Sequence, residues 1–577
     1  MKKSVSYYVR VIQSVLLMTI VQAAVSQGIL SNTGQSSQHV RMLSRNASTM
    51  IDAVYYNPAG LSDLANGWHF AVYDQAVFQA STINNSYPVL NDGEYKGTRI
   101  SPLIPSAFGV YKAGNVVFSL GTGISAGDCT TTYERGLPSF EIPLSRMIPD
   151  LTALSKLRLT SMLYDLSGYA ADIHFEERTL YPGIQAGITY KFNEVLSGFA
   201  GIRYTFGSGT YKGHVNDAQL IVDDDMVDAY DWLSETLLPD AIGARNLYNG
   251  AATSILQLIT AGAGSFTITQ VQTAGYISSA QRATFEGALY ALGLSSAQVA
   301  ALKLNQIYPI YSTEATNLNS VITATTSAID AASFKEMNAR QTGAGWTPIL
   351  GMNLNVNEKI NLGMKYEFMT RLVITNFTSA DDFELYPDGD EVVIEIPAML
   401  SLGIGYKPMD LLEAQLSFNL IFDKSVNWGL NTRDQILTGF HDIRERVVEK
   451  NTWELALGLQ YSIRNDLALS AGVLTTRPGV DESYQCDFDY ISPSVTVGAG
   501  IEWHITDLLT LDAGVMSTFY QDVNLTYFDV KLQEWNDKYP EIYSGNNYVS
   551  GEYTEKLSKR HLVVSAGITY SIIKTEK

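Results

Sequence analysis

Residues Trp453 to Ile463 read Trp-Glu-Leu-Ala-Leu-Gly-Leu-Gln-Tyr-Ser-Ile, so every second residue is large and apolar and those between are polar or small. A period of two without a slip puts one set of side chains on each face of a strand. The nine residues from Trp453 to Tyr461 span about 26 Å, or about 20 Å once tilted, close to the height of the lipid-facing band of a membrane barrel. The same alternation recurs in Ile184, Ala186, Ile188, Tyr190 and Phe192, in Ala414 to Phe422, in Val495 to Trp503 and in Leu562 to Ile572, with aromatics gathered at the ends of the rows. One face in lipid and one facing a small-residue lumen predicts an all-β transmembrane barrel.

Turns set the strand count. Tight polar turns at Lys112–Asn115, Asn193–Glu194, Asn357–Lys359, Lys407–Asp410, Arg464–Asp466 and Ile505–Asp507 alternate with long polar connections near 80–97, 126–168, 212–335, 371–391, 426–447, 477–491 and 522–555. Thirteen connections join fourteen antiparallel strands, and the short/long alternation is that of an outer-membrane barrel with short inner turns and long external loops.

Composition points the same way. Of 577 residues only 17% are charged, yet mean hydropathy is +0.00, so low charge has not been exchanged for apolar helices. A formal charge of −20 argues against a nucleic-acid partner, and two cysteines, Cys129 and Cys486, are too few for a disulfide scaffold or a zinc module. Lys2, Lys3 and Arg10 precede an apolar run from Val11 to Val25, with small Ala24 and Ser26 before a cut, so residues 1–26 read as a signal peptide and the mature chain starts near Gln27. Its removal takes away three positive charges and no negative one.

Residues 27–66 precede the first strand and do not alternate. They contain Ala53-Val-Tyr-Tyr-Asn57-Pro58-Ala59-Gly60-Leu-Ser-Asp-Leu64, in which Pro58 restricts Asn57 to extended or turn geometry and Gly60 can take positive φ. On this motif, with the hairpins Gly183–Tyr204 and Ile360–Phe368, the chain resembles the FadL family of outer-membrane transporters of long-chain fatty acids and other hydrophobic compounds. The resemblance implies a lumenal hatch (27–66, motif Asn57, Pro58, Ala59, Gly60) inside the barrel (67–577). It also implies passive capture by external loops and sideways release through a gap made by a kink in the third strand.

The residues offer candidates for that picture. The third strand has outward Val116, Phe118, Leu120 and Ile124, and inward Gly121 and Gly123 are candidates for the gap, or else make room for the hatch. Inward Phe199, Ile349 and Met399 suit an apolar pocket. Inward Arg203 and Lys365 suit a ligand carboxylate, or belong with Glu367, Glu454 and Glu502 to a lumenal ion network.

About 120 residues near 215–333 lack strand period. Ser279 before Phe285, Ala288 and Leu289, Gly293 as a stop, and Ser296 before Val299 predict an external helical loop that shapes capture or binds a protein partner. The acidic run Asp381 to Glu391 lacks the spacing of a calcium loop, and no constellation asks for a cofactor, a metal or enzyme chemistry. The reading is a monomeric channel in outer-membrane lipid for a hydrophobic small molecule such as a fatty acid; a general aqueous porin and a surface or secretion scaffold are the alternatives.

Overall fold

The computed structural model describes residues 34–156, 164–438, 443–538 and 550–573. The signal-peptide reading lies outside them, and so does the side chain of Cys129; Cys486 is buried in an external loop, where burial pushes its thiol up to about 12.

Fourteen antiparallel strands close into one barrel. The first strand, Gly67–Asn85, pairs with the fourteenth, Glu552–Ile573, from Gly67 opposite Ile573 to Asn85 opposite Glu555. Between them lie the third (Val116–Tyr133), fourth (Leu166–Lys191), fifth (Leu196–Val222), sixth (Lys335–Asn357), ninth (Leu412–Ile421), tenth (Val448–Arg464), eleventh (Leu467–Val480) and twelfth (Ser494–Thr506) strands. Four strands run in two pieces: the second as Glu94–Ser101 and Ser106–Ala113, the seventh as Ile360–Glu367 and Thr370–Asp381, the eighth as Glu391–Ile396 and Met399–Met409, and the thirteenth as Leu509–Tyr520 and Val523–Phe528. All six expected tight turns are present, at the end of the barrel where Gly67 meets both Ile573 and Lys112.

The decisive row behaves as its period demands. Leu455, Leu457, Leu459, Tyr461 and Ile463 point outward and are exposed, while Glu454 and Ala456 are buried inside.

The external connections are shorter than the sequence suggests, because strands continue past the lipid-facing band with polar outer faces. The first connection is 86–93 rather than 80–97, and the fifth strand runs on to Val222 before a short hairpin strand, Asp225–Asp228. Helices then fill Ala229 to Ala332, among them Leu238–Leu258 and the 29-residue Leu304–Ala332, about 43 Å long. Two helix starts are corrected by one residue. The caps are Ser278 and Ser295, not Ser279 and Ser296, because each hydroxyl accepts from the amide of a glutamine three residues on (Gln281, Gln298) whose side chain returns to the cap amide.

Candidate functional site: a seated lumenal segment, a cavity and a break in the wall

Residues Gly34 to Asn66 thread the lumen. Helix Ser37–Met42 is capped by Ser36, whose hydroxyl accepts from the His39 amide; a turn at Ala53–Tyr56 and the 3-10 helix Pro58–Asp63 follow. Arg41, fully buried, meets two wall carboxylates, Nε to Asp512 Oδ1 at 3.0 Å and Nη2 to Glu502 Oε2 at 2.5 Å. Breaking one partner out of such a buried set costs about 3–5 kcal/mol. Arg45 is held by Asp52 at 2.7 Å and donates to Ser48, which rigidifies the segment from within.

The wall is cut to receive this segment. A Cβ added at Gly363 would lie 2.1 Å from Asn46 O; at Gly458, 2.4 Å from Met42 O; at Gly472, 1.9 Å from Met42 O; and at Gly498, 2.4 Å from Val40 O. Inward glycines on the seventh, tenth, eleventh and twelfth strands thus form the seat for a backbone. The sequence shows these residues only as "small", and nothing in their letters says what they face.

Each residue of the Asn-Pro-Ala-Gly motif is buried. Asn57 Nδ2 donates to Ser48 O at 3.0 Å and to Asn353 Oδ1 at 2.8 Å, Pro58 O accepts from Thr189 and Ala59 O from Ser197, both at 2.7 Å. Gly60 leaves no room for a side chain, since its Cβ would sit 2.5 Å from both Asn57 Nδ2 and Ser48 O.

The inward candidates are gathered around the same segment rather than around open space. Phe199 and Ile349 pack on Ala59. Arg203 pairs with Glu367 (Nη1 to Oε2, 2.6 Å) and bonds Gln185; Lys365 donates to Glu367 at 2.6 Å and to Tyr55 O at 2.7 Å; both cations lie over the Tyr55 ring. Arg203, Lys365 and Glu367 thus form one ion cluster against Tyr55, whereas Glu454 accepts from Asn419 and Thr476 and Glu502 meets Arg41. Lys365 and Met399 border a crevice of about 20 Å³. Missing side chains at Gly121 and Gly123 accommodate Val54, Phe108 and Gln35.

The wall is interrupted beside them. The second and third strands pair from Ala113–Val116 up to Ala107–Thr122, then only again at Thr98–Thr132 and Gly97–Tyr133. The break in the second strand holds Pro102 and Pro105, which cannot donate to a ladder. Across from it, Ile124, Ser125 and Ala126 are buried in succession, the register against the fourth strand slips twice, and Gly127 takes φ +64°. Ile124, expected to face outward, instead packs inside with Val40, Val77, Ile104 and Val563. The third strand thus jogs inward, which its alternation over Val116 to Leu120 gives no hint of. Gly34 and Gln35 lie at the break: Gln75 donates to Gly34 O at 2.7 Å, Ser106 to Gln35 O at 2.7 Å, and Gln35 to Ile124 O.

A cavity of about 350 Å³ opens at this place. Ile104, Gly127 and Thr131 from the break border it, with Val77, Leu474, Tyr490, Met516 and Val563 as apolar lining and Arg99, Lys559, His561 and Glu177 as polar points. Arg99 donates to Thr131 Oγ1 at 2.9 and 2.6 Å, bridging the strands above the break. None of Phe199, Arg203, Ile349, Lys365 and Met399 lines this cavity. Its walls come from strands far apart in the chain, which no local pattern signals.

A crystal structure of a Pseudomonas aeruginosa FadL homologue superposes with a TM-score of 0.50 at 13% identity, covering 94% of this chain and 99% of that one. The fold is that of a FadL homologue. The Pseudomonas putida toluene transporter TodX (TM-score 0.46, 13% identity, 92% and 95% covered) and the Ralstonia pickettii toluene transporter TbuX (0.41, 13%, 90% and 94%) are more distant from this FadL-type barrel. No family model and no curated protein matches the sequence.

Proposed function

We propose that the chain is an outer-membrane channel, exported through a cleaved signal peptide at residues 1–26, that as a monomer takes up long-chain fatty acids or other hydrophobic small molecules without an energy source. Ligand enters from the external loops, rests in the lumenal cavity, and leaves sideways between the second and third strands, residues 27–66 serving as the hatch that closes the straight path. The observation that carries this reading is the meeting of an amphipathic cavity with a stretch of wall that has no ladder. A cavity of about 350 Å³ is in the range of small-molecule sites, and its apolar lining with a few cations suits a chain ending in an acid. Arg99 and Lys559 take the place that Arg203 and Lys365 held as carboxylate candidates. A general porin is disfavoured by the buried ion pairs that seat the lumenal segment.

Photo-crosslinking tests the sideways exit. Leu103 is exposed at the break and Leu457 faces lipid on another part of the wall. A photoreactive residue at 103 is expected to capture radiolabelled dodecanoate, supplied outside intact cells, several times more efficiently than one at 457. Equal capture at the two positions counts against lateral release.

A further inference from the structure

Above the lumenal cavity lies a second one, of about 440 Å³, on the external side. Phe140 and Phe383 line this outer groove, and Phe488 lines the inner cavity. The three rings meet with Phe175 in one cluster: Phe140 lies 5.5 Å from Phe488, 5.7 Å from Phe175 and 4.8 Å from Phe383 between ring centroids, and Phe175 lies 5.1 Å from Phe488. These are the separations of tilted and edge-to-face aromatic pairs in close contact. The partition between the two cavities at this point is therefore made of rings from three external connections and the fourth strand, with no charged group among them.

A polar latch sits directly beside it. Asp487, next to Phe488, accepts from the Ser139 amide at 2.8 Å and from the Ser139 hydroxyl at 2.7 Å, and Ser139 is next to Phe140. One hydrogen-bonded pair thus fixes the approach of two rings carried by different loops. The rest of each loop is pinned, the first by Glu141 accepting from Tyr95 and Tyr169 and the other by Asn431 and Arg446 donating to its backbone, so movement is confined to the rings and the latch. An apolar ligand can replace ring–ring contacts with ring–ligand contacts at little cost, whereas a hydrated solute cannot.

We infer that the cluster Phe140–Phe175–Phe383–Phe488, latched by Ser139 and Asp487, is a hydrophobic gate between the outer groove and the lumenal cavity, admitting apolar chains and excluding polar solutes. The inference rests on the proposed uptake function. It assigns selectivity to the partition rather than to the cavity walls.

The test uses the full chain with Cys129 and Cys486 replaced by serine, carrying Ser139→Cys and Asp487→Cys, in cells. Bridging the two new thiols with a short bis-methanethiosulfonate linker is expected to lower the initial uptake of radiolabelled dodecanoate at least about tenfold, which corresponds to about 1.4 kcal/mol, with recovery on adding dithiothreitol. Phe383→Ala, at the rim of the cluster, is expected to raise that rate and to admit radiolabelled sucrose. Barrel folding is checked by heat-modifiable electrophoretic mobility. Undiminished uptake in the bridged form overturns the gate, and so does a folded Phe383→Ala protein with unchanged rate and no sucrose entry. If the Cys-free parent carries no dodecanoate above cells lacking it, the uptake reading itself fails and the gate falls with it.

Discussion

At the scale of single residues, the external cap holds an unbalanced charge set. Glu555 and Asp487 are both fully buried and both face Arg433, with Asn85 donating to Glu555 and Ser139 to Asp487; Tyr527 and Tyr553 pack on the same guanidinium. Glu555 stands on the part of the last strand whose outer face is polar (Glu552, Thr554, Lys556), above the lipid-facing row that begins at Leu562. Burial pushes Glu555 up to about 7 and Asp487 above the ordinary carboxylate range, the Arg433 charge opposing in both cases. A raised folded-state value means that the folded cap binds the proton more tightly than the opened one. The stability this proton contributes is full below the ordinary glutamate value of 4.5 and is lost as pH rises toward about 7. Protection factors of the amides around residues 481–493, the intrinsic exchange rate divided by the observed rate at each pH, are therefore expected to be higher at pH 5 than at pH 8 in the wild type, and the difference is expected to shrink in Glu555→Gln. Equal protection factors in the wild type at the two pH values would contradict the assignment.

At the scale of elements, the strands were legible wherever lipid imposes the alternation, as in Trp453 to Ile463, and all six tight turns fall where polar residues interrupt it. The lumenal segment was legible from Asn57, Pro58 and Gly60, whose conformational limits are written in the residue types. Helix starts in the third loop were legible to within one residue, the reciprocal Ser/Gln bonds deciding the position. A kink in the third strand was implied by the resemblance, but its place at Ile124 to Gly127 was not legible, because Ile124 is as apolar as a lipid-facing residue and only its packing against Val40 and Val563 shows which way it points. Nor were the ion partners of Arg41, since Glu502 and Asp512 are more than 400 residues away in the chain. The glycine seat is likewise a tertiary property, and it yields a direct expectation. Gly472→Leu forces a side chain into Met42 O, where even Cβ would lie at 1.9 Å. Overpacking of this kind costs about 1–3 kcal/mol. The lumenal segment, not the barrel, is expected to yield, so planar-bilayer conductance should rise from near zero while heat-modifiable mobility is retained; unchanged conductance would show that the glycines do not seat it.

At the scale of the whole molecule, one barrel with a seated lumenal segment and a helical cap contains an outer groove, an aromatic partition, an inner cavity and an unpaired stretch of wall, the four stages of the proposed path. The small-residue lumen explains the low charge and modest hydropathy, and the helices from Ala229 to Ala332 account for the length that would otherwise suggest further domains. Every stage of this path is apolar or amphipathic, and the straight route along the barrel axis is filled by residues 34–66, most of them buried. The central claim is that the inner cavity holds an apolar chain. Crystals of the protein soaked with 12-bromododecanoate and measured at the bromine edge test it most directly: the expected result is an anomalous peak inside the cavity between Leu474, Tyr490 and Met516, and bromine found only along the outer lipid-facing belt, with none in the cavity, would contradict it.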